Sequence, residues 1–270
     1  MATSTRDFLA TGTLPQYETV RLAMLVAGVS RFEVLQGRDL SDTEARRLKS
    51  LVDKRASGVP LQHLEGVVQF GPIDVLCDSR ALVPRPETEY LWELVVERVS
   101  GRRVDVVVDL CTGGGCLALA LKHELPAARV IGTDVDSSAV SLASDNATFT
   151  GIEIEVREGD LFEALPKEIF GQVDLLVVNP PYVAESEFGS LPIDVRVYDP
   201  KVALVAGDTG LEIVERIAVD WEAWMRPSGL LALEIGEHQG AAVRGLFPAG
   251  DTELVPDLAG RTRFFFAYAQ

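Results

Sequence analysis

From residue 104 onward short apolar runs alternate with helix-like stretches, and this alternation constrains the fold more than any other feature of the chain. The runs cover residues 104–110, 129–133, 152–157, 173–178 and 230–235. Strands joined through helices pair in parallel and are covered on both faces, so they read as nearly continuous apolar segments. The end of the chain breaks the rule. Glu253-Leu254-Val255 and Phe264-Phe265-Phe266-Ala267-Tyr268 are separated only by residues 256–263, too few for a parallel crossover, so one terminal strand should run antiparallel.

The N-terminal part follows another period. Leu22, Leu25, Val26 and Val29 recur at helical spacing, as do Ala45, Leu48, Val52 and Ala56. Ser41 with Glu44 three residues on is a capping box, in which each side chain satisfies an orphan backbone N–H; Gly58 and Pro60 supply the end signals. Between Val67 and Pro84 short apolar runs are broken by Gly71-Pro72 and Asp78-Ser79, the mark of a β-hairpin. The expected division is a helical domain over residues 1–66, a hairpin connector over 67–84 and an α/β domain over 85–270. Residues 186–200 show no period and are expected to be a loop over the site or a surface excursion.

Composition narrows the function. At 47% hydrophobic over 270 residues the chain can bury a full core. No apolar run is long enough to span a bilayer and the N-terminus lacks the pattern of a signal peptide, so a cytoplasmic protein is expected, with no membrane partner. Cys77, Cys111 and Cys116 have neither disulfide nor zinc spacing and read as small buried apolar residues. His63, His123 and His238 are scattered and read as surface or helix-end residues. The net charge, 25 − 41 = −16, works against a lasting complex with a nucleic-acid backbone and favours a protein or small-molecule substrate.

Two segments carry the chemistry. After the first sheet strand, Asp109-Leu110-Cys111-Thr112-Gly113-Gly114-Gly115-Cys116 leads directly into a helix-like run. Glycines at such a turn let the backbone approach a ligand, and the helix start presents free N–H groups. Asp134 closes the next strand, about 20 residues on, where a carboxylate can accept both ribose hydroxyls. Gly159-Asp160-Leu161 after the third strand is placed to meet a purine. The loop has no Lys-Ser/Thr and is not a P-loop; a nicotinamide or flavin ligand remains open from the loop alone. The other segment is Asn179-Pro180-Pro181-Tyr182, at the end of an apolar strand. The Asn179 side chain and the Pro180 carbonyl can hold a planar –NH2 group by both hydrogens, beside the flat wall of Tyr182. That suits methyl transfer to an amide or exocyclic amino nitrogen. S-adenosyl-L-methionine, with ribose and adenine but no phosphate, accounts for both segments.

Together these residues resemble the HemK-type peptide chain release factor glutamine methyltransferases (PrmC family), within the class I S-adenosylmethionine-dependent methyltransferases. The likeness covers nearly the whole chain. It includes Arg55-Ala56-Ser57-Gly58-Val59-Pro60-Leu61-Gln62-His63, Val83-Pro84-Arg85-Pro86-Glu87-Thr88-Glu89, the glycine loop, residues 179–182, Leu233-Glu234-Ile235-Gly236 and Asp257-Leu258-Ala259-Gly260-Arg261. Residues 84–89 separate this family from the ribosomal-protein glutamine methyltransferases, which are similar elsewhere.

The resemblance implies a Rossmann-like, mostly parallel seven-stranded sheet with one antiparallel strand near the C-terminus, and a small helical domain joined by a hairpin. It implies that Cys111, Thr112, Gly113, Gly114, Gly115, Asp134, Leu161 and Asn179 line the cofactor site. Asn179, Pro180, Pro181 and Tyr182 would hold the glutamine of a release factor's Gly-Gly-Gln loop. The clamp itself needs no metal, and a monomer is the default expectation. Residues 85–89 are expected to brace the domain junction rather than to do chemistry. The family has glycine where this chain has Cys111, and since cysteine does not take positive φ cheaply, ordinary strand geometry is expected there. Two alternatives stand beside this reading: methylation of a ribosomal protein or of a DNA or RNA amino group, and a non-enzymatic binding module that has kept the fold.

Overall fold

The computed structural model describes residues 3–248 and 251–270. The first two residues of the expected helical domain lie outside them. Five helices make the N-terminal module: α1 (Thr5–Thr11), α2 (Gln16–Ala27), α3 (Arg31–Gln36), α4 (Asp42–Ala56) and α5 (Leu61–Glu65). Capping boxes start three of them, at Ser4 with Asp7, Ser30 with Glu33 and Ser41 with Glu44. Their apolar faces close on a separate core that includes Val20, Leu22, Val34, Leu48, Val52 and Leu61.

The hairpin follows as β1 (Val67–Phe70) and β2 (Ile73–Leu76), paired antiparallel. Its inward residues Val68, Phe70, Ile73 and Val75 belong to the main core of the α/β body. The connector is therefore packed structure rather than a free link.

Helix α6 (Pro86–Val99) then leads into the sheet: β3 (Val106–Leu110), α7 (Cys116–Glu124), β4 (Arg129–Asp134), α8 (Ser137–Thr150), β5 (Glu155–Glu158) and β6 (Val173–Val178). After α9 (Ile193–Tyr198) and α10 (Glu212–Trp224) come β7 (Met225–Glu234), α11 (Gly240–Leu246), β8 (Thr252–Pro256) and β9 (Thr262–Tyr268). The seven strands lie in the order β8-β9-β7-β6-β3-β4-β5. Only β9 opposes the rest, pairing antiparallel with both β7 and β8. Alternate residues feed two cores: Val107, Leu175, Leu230 and Phe264 on one face, Val108, Leu176, Leu231 and Phe265 on the other. Both faces are covered, which is why the runs read as continuous.

The edges differ from expectation for identifiable reasons. The strand expected from residue 104 begins at Val106, because the Asp174 carboxylate takes the N–H groups of Asp105 and Val106 at 2.8 and 2.9 Å. The strand expected over 152–157 forms only at Glu155–Glu158, on the sheet edge. Residues 186–200 are not all loop: α9 forms inside them, with Ile193 and Val197 exposed at 63% and 58%. Its apolar stripe faces outward, so no core-facing period marks it. Among the described residues no helix is long and apolar enough to cross a membrane.

Candidate active site

The C-terminal ends of β3, β4, β5 and β6 open into one cleft, the place where parallel sheets hold ligands. Cys111, Thr112, Gly113 and Gly114 form its floor, Asp134 and Leu161 its far side, and Asn179 with Pro181 its near end. Residues 80–85, leading from the hairpin to α6, make the facing wall. That wall is tied down by Asn146 of α8, whose side chain accepts from Leu76 N at 2.6 Å and donates to the carbonyls of Leu76 and Gly114 at 3.2 and 2.9 Å. Three of the predicted residues stand behind the lining. Pro180 is buried, Tyr182 is half-buried, and Gly115 sits at the start of α7 with φ 79°, where a Cβ would lie 3.0 Å from that of Ala143.

Cys111 corrects the expectation of strand geometry: its φ is +57°. Thr112 N donates to Thr133 O at 2.9 Å and Gly113 N to Asp134 Oδ2 at 2.8 Å, so the following residues fix the turn whatever the side chain. A left-handed L-residue costs about 1–2 kcal/mol that glycine would not. Burial pushes the Cys111 thiol pKa well up, so it is a neutral wall.

The acceptors fit a ribose-bearing cation. Asp134 accepts one backbone N–H on each oxygen, from Gly113 at 2.8 Å and Asp136 at 3.0 Å, which leaves a lone pair on each. Thr133 Oγ1 lies buried in the cleft wall without a partner. Asp109, inside β3, was not singled out in the sequence. It is 1% exposed, its Oδ2 accepts from Thr112 Oγ1 at 2.6 Å and Ala118 N at 3.2 Å, and it too lines the cleft. Burial raises its pKa to about 7 against those hydrogen bonds, so a cation placed beside it would be welcome. An orphan hydroxyl, a glycine cradle and two carboxylates suit S-adenosyl-L-methionine.

At the near end, Asn179 Nδ2 donates to Thr88 Oγ1 at 2.9 Å, and Thr88 donates in turn to Glu234 Oε2 at 2.7 Å. Arg263, on β9, reaches the Tyr182 hydroxyl at 2.8 Å and Glu234 Oε1 at 3.4 Å. Burial raises the pKa of Glu234, and Thr88 and Arg263 oppose the rise. Neither Asn179 Oδ1 nor the Pro180 carbonyl accepts a hydrogen bond from the described residues. Thr88, Glu234 and Arg263 were missed as site residues. Of residues 85–89 only Glu89 reaches the connector, accepting from Gly71 N of the hairpin at 2.9 Å; Arg85 pairs with buried Asp199 and Glu87 with Arg261 at 3.0 Å, both inside the α/β domain. Thr88, from the same segment, turns into the cleft instead.

The chain matches the family model described as PrmC N-terminal domain over residues 3–66 and the Methyltransferase small domain over residues 89–194. A Deinococcus radiodurans protein named release factor glutamine methyltransferase is 39% identical over 257 residues, spanning 93% of this chain and 90% of the relative. A Mycobacterium leprae protein of the same name is 38% identical over 92% and 87%. Among solved structures, the hMettl16 catalytic domain with a 3′UTR hairpin covers 92% of each chain at TM-score 0.58 and 19% identity. A T. Thermophilus 16S rRNA N2 G1207 methyltransferase with AdoMet and guanosine covers 76% of this chain and 50% of its own at TM-score 0.53 and 20% identity. At such identities the solved structures speak for the fold alone.

Proposed function

The chain belongs to the release factor glutamine methyltransferase family, and from that premise we propose how its cleft methylates the side-chain amide nitrogen of the glutamine in a release factor's Gly-Gly-Gln loop. It is an S-adenosylmethionine-dependent methyltransferase that acts on release factors. The cofactor supplies a methyl group on a sulfonium sulfur, which keeps the C–S electron pair as the methyl leaves. Asp134 would accept the ribose hydroxyls, the backbone from Cys111 to Gly114 would give the closest approach, and Leu161 would pack against the adenine. Gly115 sets the turn, and Asp109 would face the ammonium and sulfonium charge.

An amide nitrogen is a poor nucleophile because its lone pair is delocalised into the carbonyl. Asn179 Oδ1 and the Pro180 carbonyl accept its two hydrogens, which orients the nitrogen and stabilises the positive charge that grows on it. The proton becomes acidic as the N–C bond forms and passes to water. Pro181 and Tyr182 shape the wall beside the amide. The observation that carries this reading is an unengaged acceptor, Asn179 Oδ1, on a residue that lines the cleft, with the equally unengaged Pro180 carbonyl next to it in the chain.

The helical module recognises the protein substrate, since it has its own core and none of the chemistry. A truncation to separate the two must begin no later than Val67, because a start at Val75 would strip Val68, Phe70 and Ile73 of the hairpin from the main core. We expect the full chain to label a release factor and neither ribosomal protein nor DNA when all three are offered with labelled S-adenosylmethionine. A chain beginning at Val67 should bind the cofactor equally but label the release factor far more slowly. Mass spectrometry of the tryptic peptide carrying the Gly-Gly-Gln glutamine is the readout; label on another residue, or equal rates for both chains, would overturn the corresponding assignment.

Asp109 gives a pH dependence. Its folded pKa, about 7, lies above the ordinary 3.8, so its contribution to stability is full at acid pH and is lost as pH rises toward 7. A bound cation restores it by favouring the ionised form. Cofactor affinity should therefore rise from pH 6 to pH 8, with proton release on binding near pH 6.5, and Asp109→Asn should flatten both. Calorimetric titration in two buffers of different ionisation enthalpy measures the release; none at pH 6.5 would remove Asp109 from the cation's surroundings.

A further inference from the structure

Resting on Asn179 as the acceptor of the substrate amide, we infer that Thr88 and Glu234 decide which way round the Asn179 side chain sits, so that its oxygen and not its NH2 group faces the cleft. A primary amide can be turned end for end with almost no change of shape. Turned, Asn179 would present donors to a substrate nitrogen that is itself a donor, and the clamp would become a repulsion. Shape does not break this tie, but hydrogen-bond polarity does.

The direction is set from the buried end. Glu234 is 1% exposed, with the Arg263 guanidinium 3.4 Å from Oε1. The Arg263 guanidinium and the Tyr182 hydroxyl, 3.4 and 3.5 Å from Oε1, both present donors to Glu234, and the relay takes it as the carboxylate they favour; a carboxylate only accepts, so the single hydroxyl proton of Thr88 lies on the 2.7 Å bond to Oε2. The Thr88 oxygen then has only lone pairs for the group 2.9 Å away, which must be a donor: Asn179 Nδ2. Carboxylate, hydroxyl and amide thus form a one-way relay that leaves Asn179 Oδ1 for the substrate. Thr88 and Glu234 are positioning residues that act through Asn179.

The relay can be cut or reversed. Thr88→Val keeps the shape but sets the Asn179 NH2 group against methyls, so the amide gains by turning that group toward water in the cleft. In Glu234→Gln, Arg263 still requires an acceptor at the position of Oε1, which puts the new NH2 group toward Thr88. Thr88 then accepts from it and donates to Asn179, which must turn. Thr88→Ser keeps the hydroxyl.

The test is steady-state methylation of intact release factor by the full-length enzyme, with cofactor affinity by calorimetry and Tm alongside. Thr88→Val and Glu234→Gln should each lower kcat about tenfold or more with cofactor Kd within about twofold, while Thr88→Ser stays within about twofold of the parent. Where Glu234→Gln lowers Tm, the Thr88→Val and Thr88→Ser pair decides. If Asn179→Ala is inactive while Thr88→Val keeps the parent kcat, or if Thr88→Ser falls as far as Thr88→Val, the relay is refuted and the clamp stands. A fully active Asn179→Ala would instead overturn the clamp, and the relay with it.

Discussion

Replacing Asn179 by alanine should lower kcat on release factor by about 10²–10³, the loss that follows removal of one preorganised electrostatic partner from a transition state. The substrate nitrogen gains positive charge only as the methyl arrives, so an acceptor already aimed at its hydrogen contributes more there than in the ground state. Asn179 meets that condition. Its Nδ2 is committed to Thr88 at 2.9 Å, which fixes the side chain at the near end of the cleft. The KM for release factor and the affinity for cofactor should change much less than kcat, because the rest of both binding surfaces is left in place. Initial rates at saturating cofactor are the measurement, and near-parental turnover would dismiss the clamp.

The second large effect concerns cofactor binding. Asp134→Ala should weaken it by roughly 2–3 kcal/mol, since a charge-assisted acceptor for ribose hydroxyls disappears. That is about 30- to 150-fold in Kd. The same carboxylate holds Gly113 N at 2.8 Å and Asp136 N at 3.0 Å, so the glycine turn loses a tether as well. The fold should persist, because Asp134 closes a strand whose other residues are held by the ladders to β3 and β5. Calorimetry on the folded variant settles the point: an unaltered Kd would take Asp134 out of the site.

Much of this architecture was legible because its causes are local. Strands buried on both faces leave continuous apolar runs, a capping box has a fixed spacing, and an acid at a strand end after a glycine turn needs only its neighbours to be noticed. The relay behind Asn179 had no such signal. Thr88 and Glu234 stand 146 residues apart in sequence, and they meet only because α6 starts over the end of β7. Asp109 is an alternate position in an apolar strand and reads as a sheet residue until the cleft shows it. At Cys111 the side chain argued one way and two tertiary hydrogen bonds argued the other; the bonds fixed the turn. Helix α9 was hidden by an apolar face turned to solvent, which no rule of core periodicity detects.

The interior placement of β9 also governs the order in which the molecule can be completed. During synthesis β7 emerges before the strand that covers its edge, and Glu234 emerges before Arg263. Until residues 262–268 are available, β7 presents an open edge to any passing chain and a carboxylate bound for the interior lacks its counter-charge. A polypeptide interrupted ahead of Thr262 would therefore lack both the cover of β7 and the counter-charge of Glu234, losing a sheet edge and the polarity of its site together.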